Sequence, residues 1–500
     1  MRSVHIAARA EPIIVSPRSA QDGKTLGGGK VVKTGTRGGG LDGYFKITER
    51  GSNVRTEVIA GLTTFMTMAY ILFLNPLILS GPDRDGVTLA PAAVLTVTAL
   101  AAGLTTIAMG VFSNYPFAIA AGLGLNAVVA FQLVGGSGLT WPEAMGVIVV
   151  EGIVILILVL TKFRQAVMES VPLPLKHSIA VGIGLFIAVI GFVDAGFVTT
   201  TTQPNPPLQL GAANELQGWP IGVFLFGLLL TLFLFSRRMK GALLIGIVAT
   251  TIAAVIVNEA FLDGEAFGGK ANYGSIADFP SADNFDLIGN FSFGFFAELG
   301  IIAAILAIFT IMLSDFFDTM GTAIGLGREA NLLDEEGRLP DIGRVLAVDS
   351  GAAALGGAFS ASSNTTYIES ASGIAEGGRT GLTAVVVGVL FLLSIFFSPL
   401  AQIIPFEAAA PALVIVGFLM MTNIRHVPWD DFELAIPAFL TIVVMPFTYS
   451  ITNGIGASFV SFVFLKLARG KASEVHPMMY IAAAAFVVYF GIFYVRLYLT

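Results

Sequence analysis

The 500-residue sequence contains no cysteine, which excludes disulfide bonds and thiolate metal centres. Charged residues are scarce as well, at 12% of the chain compared with about 25% in soluble domains. The four histidines are scattered and form no metal-ligand pattern. Hydrophobic residues, in contrast, make up 55% of the chain, and lipid solvates a surface of that composition better than water does. These features predict an integral membrane protein that holds neither a metal nor a cofactor.

Long apolar segments recur along the whole chain. A helix needs ~20 apolar residues to cross the hydrocarbon of a bilayer, and about fourteen segments approach that length. Spans 1 to 14 are predicted at 57–80, 88–113, 115–134, 143–161, 175–196, 219–236, 241–260, 298–326, 341–358, 361–377, 380–399, 401–422, 432–450 and 453–468. A further apolar block at 477–498 fits either an additional span or a helix in the membrane interface. The fold class is therefore all-α and polytopic.

The N-terminal residues 1–43 differ from the rest of the chain. They contain glycine runs and scattered Lys and Arg but no long apolar block, so we expect a disordered tail rather than a cleaved signal peptide. Basic residues accumulate in this tail and after the even-numbered spans, whereas the loop 197–218 has none and the loop 261–297 has only Lys270. Because basic loops stay in the cytoplasm, the N-terminus is predicted to be cytoplasmic. The expected location is the cell (cytoplasmic) membrane.

Spans 3 and 10 lack the pattern of regular membrane helices. Span 3 opens with the small-residue stretch Tyr115–Asn126, and span 10 opens with the polar stretch Phe359–Glu369. They lie seven spans apart, and an odd separation reverses the topology, so the two halves are predicted to be inverted repeats. Interrupted segments at matching positions of two such halves indicate a transporter's binding site, because irregular backbone at that depth is tolerated where it lines a cavity. Gly122 and Gly124 taken alone fit close helix packing equally well.

Three acidic residues lie close to these breaks: Asp315 and Asp318 in span 8, and Glu369 in span 10. An ionisable group in mid-membrane costs at least ~2.5–3.5 kcal/mol and commonly belongs to a substrate or proton path. Asp315 and Asp318 share one helix face, so repulsion favours protonation of at least one, and both are candidates for proton coupling. Hydrogen bonding to nearby backbone or hydroxyl groups is the alternative role for this pair, and capping of its own helix is the alternative for Glu369. The embedded Glu151 and Asp349 are interpreted first as network or packing residues.

The candidate side chains indicate the chemistry of the solute. Carboxylates accept two parallel hydrogen bonds and an amide both donates and accepts, so Asn126 joins the acids as a candidate for binding a planar, donor-rich molecule. An interhelical hydrogen bond is the equally weighted alternative for Asn126. Phe65, Phe316 and Phe317 are available for stacking on a planar ring. Apart from Arg344 at the edge of span 9, no Lys or Arg lies within the predicted core spans. The residues themselves thus predict a proton-coupled carrier of a small polar solute.

Three sequence blocks carry a family resemblance. They are Gly61–Ile71 followed by Asn75-Pro76, Ser314–Thr322, and Asn364–Ile374 followed by Gly378–Gly381. Together they resemble the AzgA-type purine permeases of the nucleobase–ascorbate (xanthine/uracil) transporter superfamily, from about residue 44 to the C-terminus. The resemblance implies proton-coupled uptake of adenine, guanine or hypoxanthine by alternating access.

The resemblance also implies a fold of fourteen spans in two inverted repeats of seven, with a short β-strand in each of spans 3 and 10. A core domain would comprise spans 1–4 and 8–11, and a gate domain would comprise spans 5–7 and 12–14 with the C-terminal helix. The implied boundaries are 44–165 and 298–400 for the core, and 166–297 and 401–500 for the gate. Relatives of this kind imply a homodimer.

Carried over by motif, the implied base-binding residues are Glu369, Asn126, Thr366 and an acid of span 8. Counting back from Gly321 favours Asp318, with Asp315 one turn away, and the choice between these two acids stays open. The stacking candidate Phe65 completes the predicted site.

Several alternatives remain. Uracil and xanthine permeases of the same superfamily carry a Gln-Asn or Glu-Asn pair where this chain has Glu369-Ser370, which favours the purine branch. An intramembrane aspartyl hydrolase normally places its two aspartates on different helices, whereas Asp315 and Asp318 share one, so an enzyme is not expected. A channel or anion carrier is disfavoured by the scarcity of basic residues. The expected partners are a purine base, the lipid bilayer and a proton, with Na⁺ as the alternative driving ion, and not nucleic acid.

Overall fold

The computed structural model describes residues 40–161, 170–201, 206–264, 266–272, 274–334 and 338–499. Most of the predicted tail at 1–43, and the predicted domain boundary at 165/166, lie outside the described residues. A short helix, Leu41–Phe45, precedes the first span.

Membrane-length helices account for most of the described chain. In the first half, spans 1, 2, 4, 5, 6 and 7 run over Val54–Ile78, Pro91–Ser113, Trp141–Leu160, Leu173–Asp194, Trp219–Ser236 and Ala242–Phe261. In the second half, spans 8, 9, 11, 12, 13 and 14 run over Ile301–Glu329, Ile342–Ala358, Gly381–Phe397, Phe406–His426, Phe432–Thr448 and Ile451–Ala468. Shorter helices, Phe295–Leu299 and Leu400–Ile403, precede spans 8 and 12. The prediction of a polytopic helical membrane protein is confirmed, and each of these spans lies within a few residues of its predicted position.

The helix starts follow from local sequence. Asn53 precedes span 1, and its side chain accepts a hydrogen bond from the Thr56 backbone N–H at 3.0 Å. Thr140 and Glu143 form a reciprocal capping box at the start of span 4. Proline occupies the first turn of spans 2, 4, 5 and 6, where its missing N–H costs nothing. Span 1 is interrupted between Val54–Met68 and Ile71–Ile78.

Spans 3 and 10 each combine a strand with a short helix, as the resemblance implied. Strand β1 is Ile119–Ala121 and leads into the helix Leu123–Gly136. Strands β2 (Val198–Thr200) and β3 (Leu208–Leu210) form a separate antiparallel hairpin after span 5. Strand β4 is Asn364–Thr366 and is followed by the helix Ser370–Ala375. β1 and β4 pair antiparallel, with Ile119 opposite Thr366, Ala120 opposite Thr365 and Ala121 opposite Asn364.

The packing of the spans repeats between the two halves. Span 2 packs on span 11, and in the corresponding pair span 9 packs on span 4. Span 1 also packs on span 11, and in the corresponding pair span 8 packs on span 4. Likewise, spans 1 and 7 pair as spans 8 and 14 do, and spans 6 and 12 pair as spans 13 and 5 do. In three of these matches one pair becomes the other when seven is added to one span number and subtracted from the other, and for spans 1 and 7 seven is added to both. Spans 5 and 12, and strands β1 and β4, pack against their own counterparts, so they lie on the axis that relates the inverted repeats.

Glycine allows the close crossing of spans 5 and 12. A Cβ atom placed on Gly184 would lie 2.7 Å from the carbonyl oxygen of Gly417, and one placed on Gly417 would lie 2.5 Å from that of Gly184. Real Cβ atoms do not approach a carbonyl so closely, so the crossing requires glycine on both helices.

The C-terminal block forms one helix, Pro477–Leu499. It packs against spans 14 and 8, and Phe486 is buried against Gly456 of span 14. Whether this helix crosses the bilayer or lies in the interface stays a prediction.

Candidate functional site

The two interrupted spans meet through their backbones. The N–H of Gly122 donates to the carbonyl of Ser363 at 2.9 Å, and the N–H of Tyr367 donates to the carbonyl of Ala118 at 2.9 Å. These bonds extend the β1–β4 pairing by one step at either end. Backbone N–H and C=O groups at one break are therefore hydrogen-bonded to those at the other. Backbone groups that are shielded from water need such partners.

Glu369 of span 10 is held by span 1. It lies immediately before the helix Ser370–Ala375, and its side chain does not cap that helix. Instead, the hydroxyl of Tyr70 donates to Glu369 Oε1 at 2.5 Å, and the Thr67 hydroxyl donates to the Glu369 carbonyl at 3.4 Å. Tyr70 is buried at the point where span 1 is interrupted. Self-capping, the alternative role for Glu369, is thus not the arrangement observed.

The two acids of span 8 occupy different surroundings. Asp318 is exposed, and the carboxyls whose charges act on it are those of Asp349 and Glu369. Asp315 is only 1% exposed and lies near Glu151, Asp349 and Asp318. Neither carboxyl oxygen of Asp315 has a hydrogen-bond partner within the described part of the chain. Of the two, Asp318 is therefore the acid that is accessible and lies towards Glu369.

Asp349 of span 9 ties three elements together. Its Oδ2 accepts from the Thr319 hydroxyl at 2.7 Å, and its Oδ1 accepts from the Thr366 hydroxyl at 2.7 Å. The Thr319 and Thr365 hydroxyls are hydrogen-bonded to each other at 2.7 Å. The hydroxyl of Thr366, a predicted base-binding residue, is therefore engaged with Asp349, which links spans 8 and 9 to β4.

Asn126 lies in the helix after β1 and is fully buried. Among the described residues, neither its amide oxygen nor its amide nitrogen has a hydrogen-bond partner, so the interhelical hydrogen bond weighed for it is not present there. Asn364 in β4 is likewise fully buried, with both amide atoms unpaired among the residues described. A buried polar group without a partner costs about 1–3 kcal/mol. Both amides are therefore suited to bind a polar ligand.

Phe65 of span 1 contacts span 11. Its ring packs edge-on against Phe391 of span 11, with centroids 5.3 Å apart. Phe65 is two residues from Thr67, so at ~100° per residue the two side chains point to opposite sides of the helix. Of the other stacking candidates, Phe316 is buried in the core, and the side chain of Phe317 lies outside the described residues.

The sequence analysis did not single out Tyr70 as a site residue. Tyr70 lies within the Gly61–Ile71 block, and a tyrosine in an apolar span gives no sign of its partner. The interruption of the helix beside it is the signal that marks this position.

The assembled site suits a donor-rich neutral solute. The ionisable groups whose charges act on Asp315 and Asp318 are carboxyls, which accept hydrogen bonds and take up protons. No group of three or more His, Cys, Asp or Glu side chains arranged to hold a metal ion occurs within the described ranges.

Solved structures of the same fold are transporters. The transmembrane domain of the cyanobacterial bicarbonate transporter BicA superposes with a TM-score of 0.55 at 13% identity, covering 82% of this chain and 97% of that one. The murine anion transporter Slc26a9 superposes with a TM-score of 0.55 at 10% identity, covering 83% and 68%. At these identities the likeness establishes the fold.

Sequence relatives are permeases of matching length. The chain is 39% identical to the adenine permease AdeQ of Escherichia coli over 448 residues, which is 90% of this chain and 95% of AdeQ. It is 37% identical to the guanine/hypoxanthine permease PbuG of Bacillus subtilis over 451 residues, covering 89% and 98%. The sequence model of the Permease family, Xan_ur_permease, matches residues 55–494. The chain therefore belongs to this permease family and is a multi-pass membrane transporter rather than an enzyme.

Proposed function

We propose that this transporter takes up purine nucleobases across the cytoplasmic membrane together with protons. The observation that carries the proposal is the proximity of two acids from different spans: the charge of Glu369, which follows β4 in span 10, acts on Asp318 of span 8. The printed functions of AdeQ and PbuG support a purine as the solute.

Glu369 and Asp318 bind the donor edge of the base in this proposal. Purine bases carry ring N–H and exocyclic amino groups along one plane, and a carboxylate accepts such donors in pairs. The Tyr70 hydroxyl orients Glu369 through Oε1. The unpaired amide of Asn126 supplies a donor and an acceptor for the opposite edge of the base.

Transport proceeds by relative movement of a core domain (spans 1–4 and 8–11) and a gate domain (spans 5–7 and 12–14). The packing supports this division, because spans 4 and 9 and spans 2 and 11 pack within the first set, while spans 5, 12 and 13 pack within the second. Between the sets, a Cβ on Gly124 would lie 2.7 Å from Cγ2 of Ile183. Glycine at this position therefore allows span 3 of the core to approach span 5 of the gate closely.

The loop charges support one orientation of the chain in the membrane. The excess of Lys and Arg after even-numbered spans supports a cytoplasmic N-terminus. The homodimer implied by the family resemblance remains a prediction.

The test is uptake of radiolabelled adenine and hypoxanthine by cells lacking their own purine permeases. Wild-type protein is expected to accumulate label, and a protonophore is expected to abolish accumulation, whereas removal of Na⁺ is not. Excess unlabelled uracil or xanthine is expected to compete poorly.

Glu369→Gln and Asp318→Asn each remove a charged acceptor. Such a hydrogen bond contributes ~1.5–3 kcal/mol, so each change is expected to lower uptake by roughly ten- to hundredfold. Glu329→Gln is the matched control, because Glu329 is an exposed acid at the end of span 8. Wild-type uptake no greater than that of Glu369→Gln, or uptake that ignores the protonophore, would refute the proposal.

A further inference from the structure

A second pair of acids lies deeper than the proposed base site. Glu151 of span 4 is fully buried, and Asp315 of span 8 is 1% exposed. The two are neighbours, since the side chain of Asp315 lies within hydrogen-bonding reach of Glu151 and the charge of Glu151 acts on Asp315. Both carboxyls are buried, whereas Asp318 is exposed, so the pair is distinct from the exposed acid of the proposed base site.

The surroundings of this pair supply hydroxyls and further acids. Ser363 donates to Glu151 Oε2 at 3.5 Å, which is a long bond, and Glu151 Oε1 has no partner among the described residues. Asp315 faces Thr365 of β4, Asp349 of span 9 and its own neighbour Asp318. The ionisable groups that act on the pair are thus all carboxyls.

A proton shared between the two carboxyls would remove the repulsion between them. Two carboxylates in a buried site repel each other and lose their hydration, whereas one protonated carboxyl donates a hydrogen bond to the other and leaves a single charge. Both oxygens of Asp315 and Oε1 of Glu151 have no partner among the described residues and are therefore available for such a bond. The aspartate pairs of some hydrolases share one proton for the same reason.

We propose that Glu151 and Asp315 share one proton and form the site that holds the coupling proton, apart from the base-binding acids Glu369 and Asp318. This inference rests on the proposed function. In each cycle the O–H bond of the protonated carboxyl breaks, the proton passes to water on the cytoplasmic side, and a proton from external water restores the acid.

Strand β4 connects the proton site with the base site. The residue before it, Ser363, contacts Glu151, and Thr365 within it contacts Thr319 and lies near Asp315. The strand ends three residues before Glu369. A displacement of Glu369 on base binding is therefore transmitted along β4 to both members of the acid pair, which makes Glu151 a positioning and proton-holding residue rather than a base contact.

The test separates net transport from exchange in proteoliposomes that contain the purified protein. Glu151→Gln mimics the protonated acid permanently, so base–base exchange, which moves no net proton, is expected to stay within about twofold of wild type. Accumulation driven by an imposed pH gradient is expected to fall at least about tenfold. The conservative variant Glu151→Asp is expected to restore part of the accumulation. Glu329→Gln is expected to change neither activity.

An infrared measurement tests the shared proton without any substrate. The C=O stretch of a protonated carboxyl in wild-type protein at neutral pH is expected to be lost in Glu151→Gln and in Asp315→Asn, and retained in Glu329→Gln. Retention of that band in both variants, or pH-driven accumulation by Glu151→Gln at the wild-type level, would overturn the inference.

Failure of the proposed function gives a different result. If wild-type protein neither exchanges nor accumulates purine bases, the purine assignment is wrong, while the infrared result still decides whether Glu151 and Asp315 share a proton. If Glu151→Gln does not fold, the decision passes to Asp315→Asn and Glu151→Asp, measured by the same infrared band.

Discussion

Replacing Tyr70 by phenylalanine removes one oxygen atom from the site and leaves the aromatic ring in place. The lost hydroxyl donates to Glu369 Oε1 at 2.5 Å, and Tyr70 is 1% exposed, so water cannot readily replace it. A hydrogen bond to a charged acceptor contributes ~1.5–3 kcal/mol. At ~1.4 kcal/mol per tenfold change, a base held by a freely rotating Glu369 binds about ten- to hundredfold more weakly.

The assay is the initial rate of adenine or hypoxanthine uptake against base concentration. For Tyr70→Phe we expect the KM to rise about tenfold or more, with a smaller change in the maximal rate, because the interaction acts on binding. Tyr115→Phe is the matched control: Tyr115 is also buried, and its hydroxyl donates at 2.8 Å to the Pro340 carbonyl, away from Glu369. A KM for Tyr70→Phe within about twofold of wild type, alongside inactive Glu369→Gln, would refute the role assigned to Tyr70.

Two further predictions concern the packing around the site. A Cβ on Gly373 would lie 2.2 Å from Oγ1 of Thr64. Gly373→Ala is therefore expected to separate span 10 from span 1 and to reduce the amount of folded protein in the membrane. The control is Gly351→Ala, which is expected to be tolerated because a Cβ there meets nothing within 4 Å. Lys240, between spans 6 and 7, pairs with Glu376, after span 10. Exposed ion pairs contribute ~0.2–1 kcal/mol, so Lys240→Glu alone or Glu376→Lys alone is expected to slow uptake up to about fivefold. The double exchange is expected to restore the rate of uptake. A double variant no faster than either single variant would exclude a role for the pair.

Much of the scaffold could be predicted from the sequence because lipid imposes a length on every helix. The breaks in spans 3 and 10 were indicated by small and polar residues that form helices poorly, and the strands within these breaks were implied by the family resemblance. The pairing of the two strands with each other was harder to predict, since its register depends on residues far apart in the chain.

The site was predictable in its acids but not in their partners. Asp315 and Asp318 were expected to share a face, yet one is buried beside Glu151 and the other is exposed towards Glu369. Two side chains three residues apart point in similar directions, because three residues are nearly one full turn of a helix. They still lie almost one turn apart along the helix axis, and that separation is enough to place the two acids in different environments. The Tyr70–Glu369 bond joins residues 299 positions apart, and no local pattern in one sequence reports such a distance.

The pairing of β1 with β4 also sets the order in which the protein can be assembled during synthesis. The backbone N–H of Ala118 is bonded to the hydroxyl of Ser370, 252 residues later in the chain. A ribosome adding ~5–20 residues per second needs about 13–50 s to supply that partner. For that time the first half must remain in the membrane with one strand edge unpaired, a condition that costs free energy in lipid. The inserted first repeat is thus an incomplete unit, and its strand edge is completed only when the second repeat arrives.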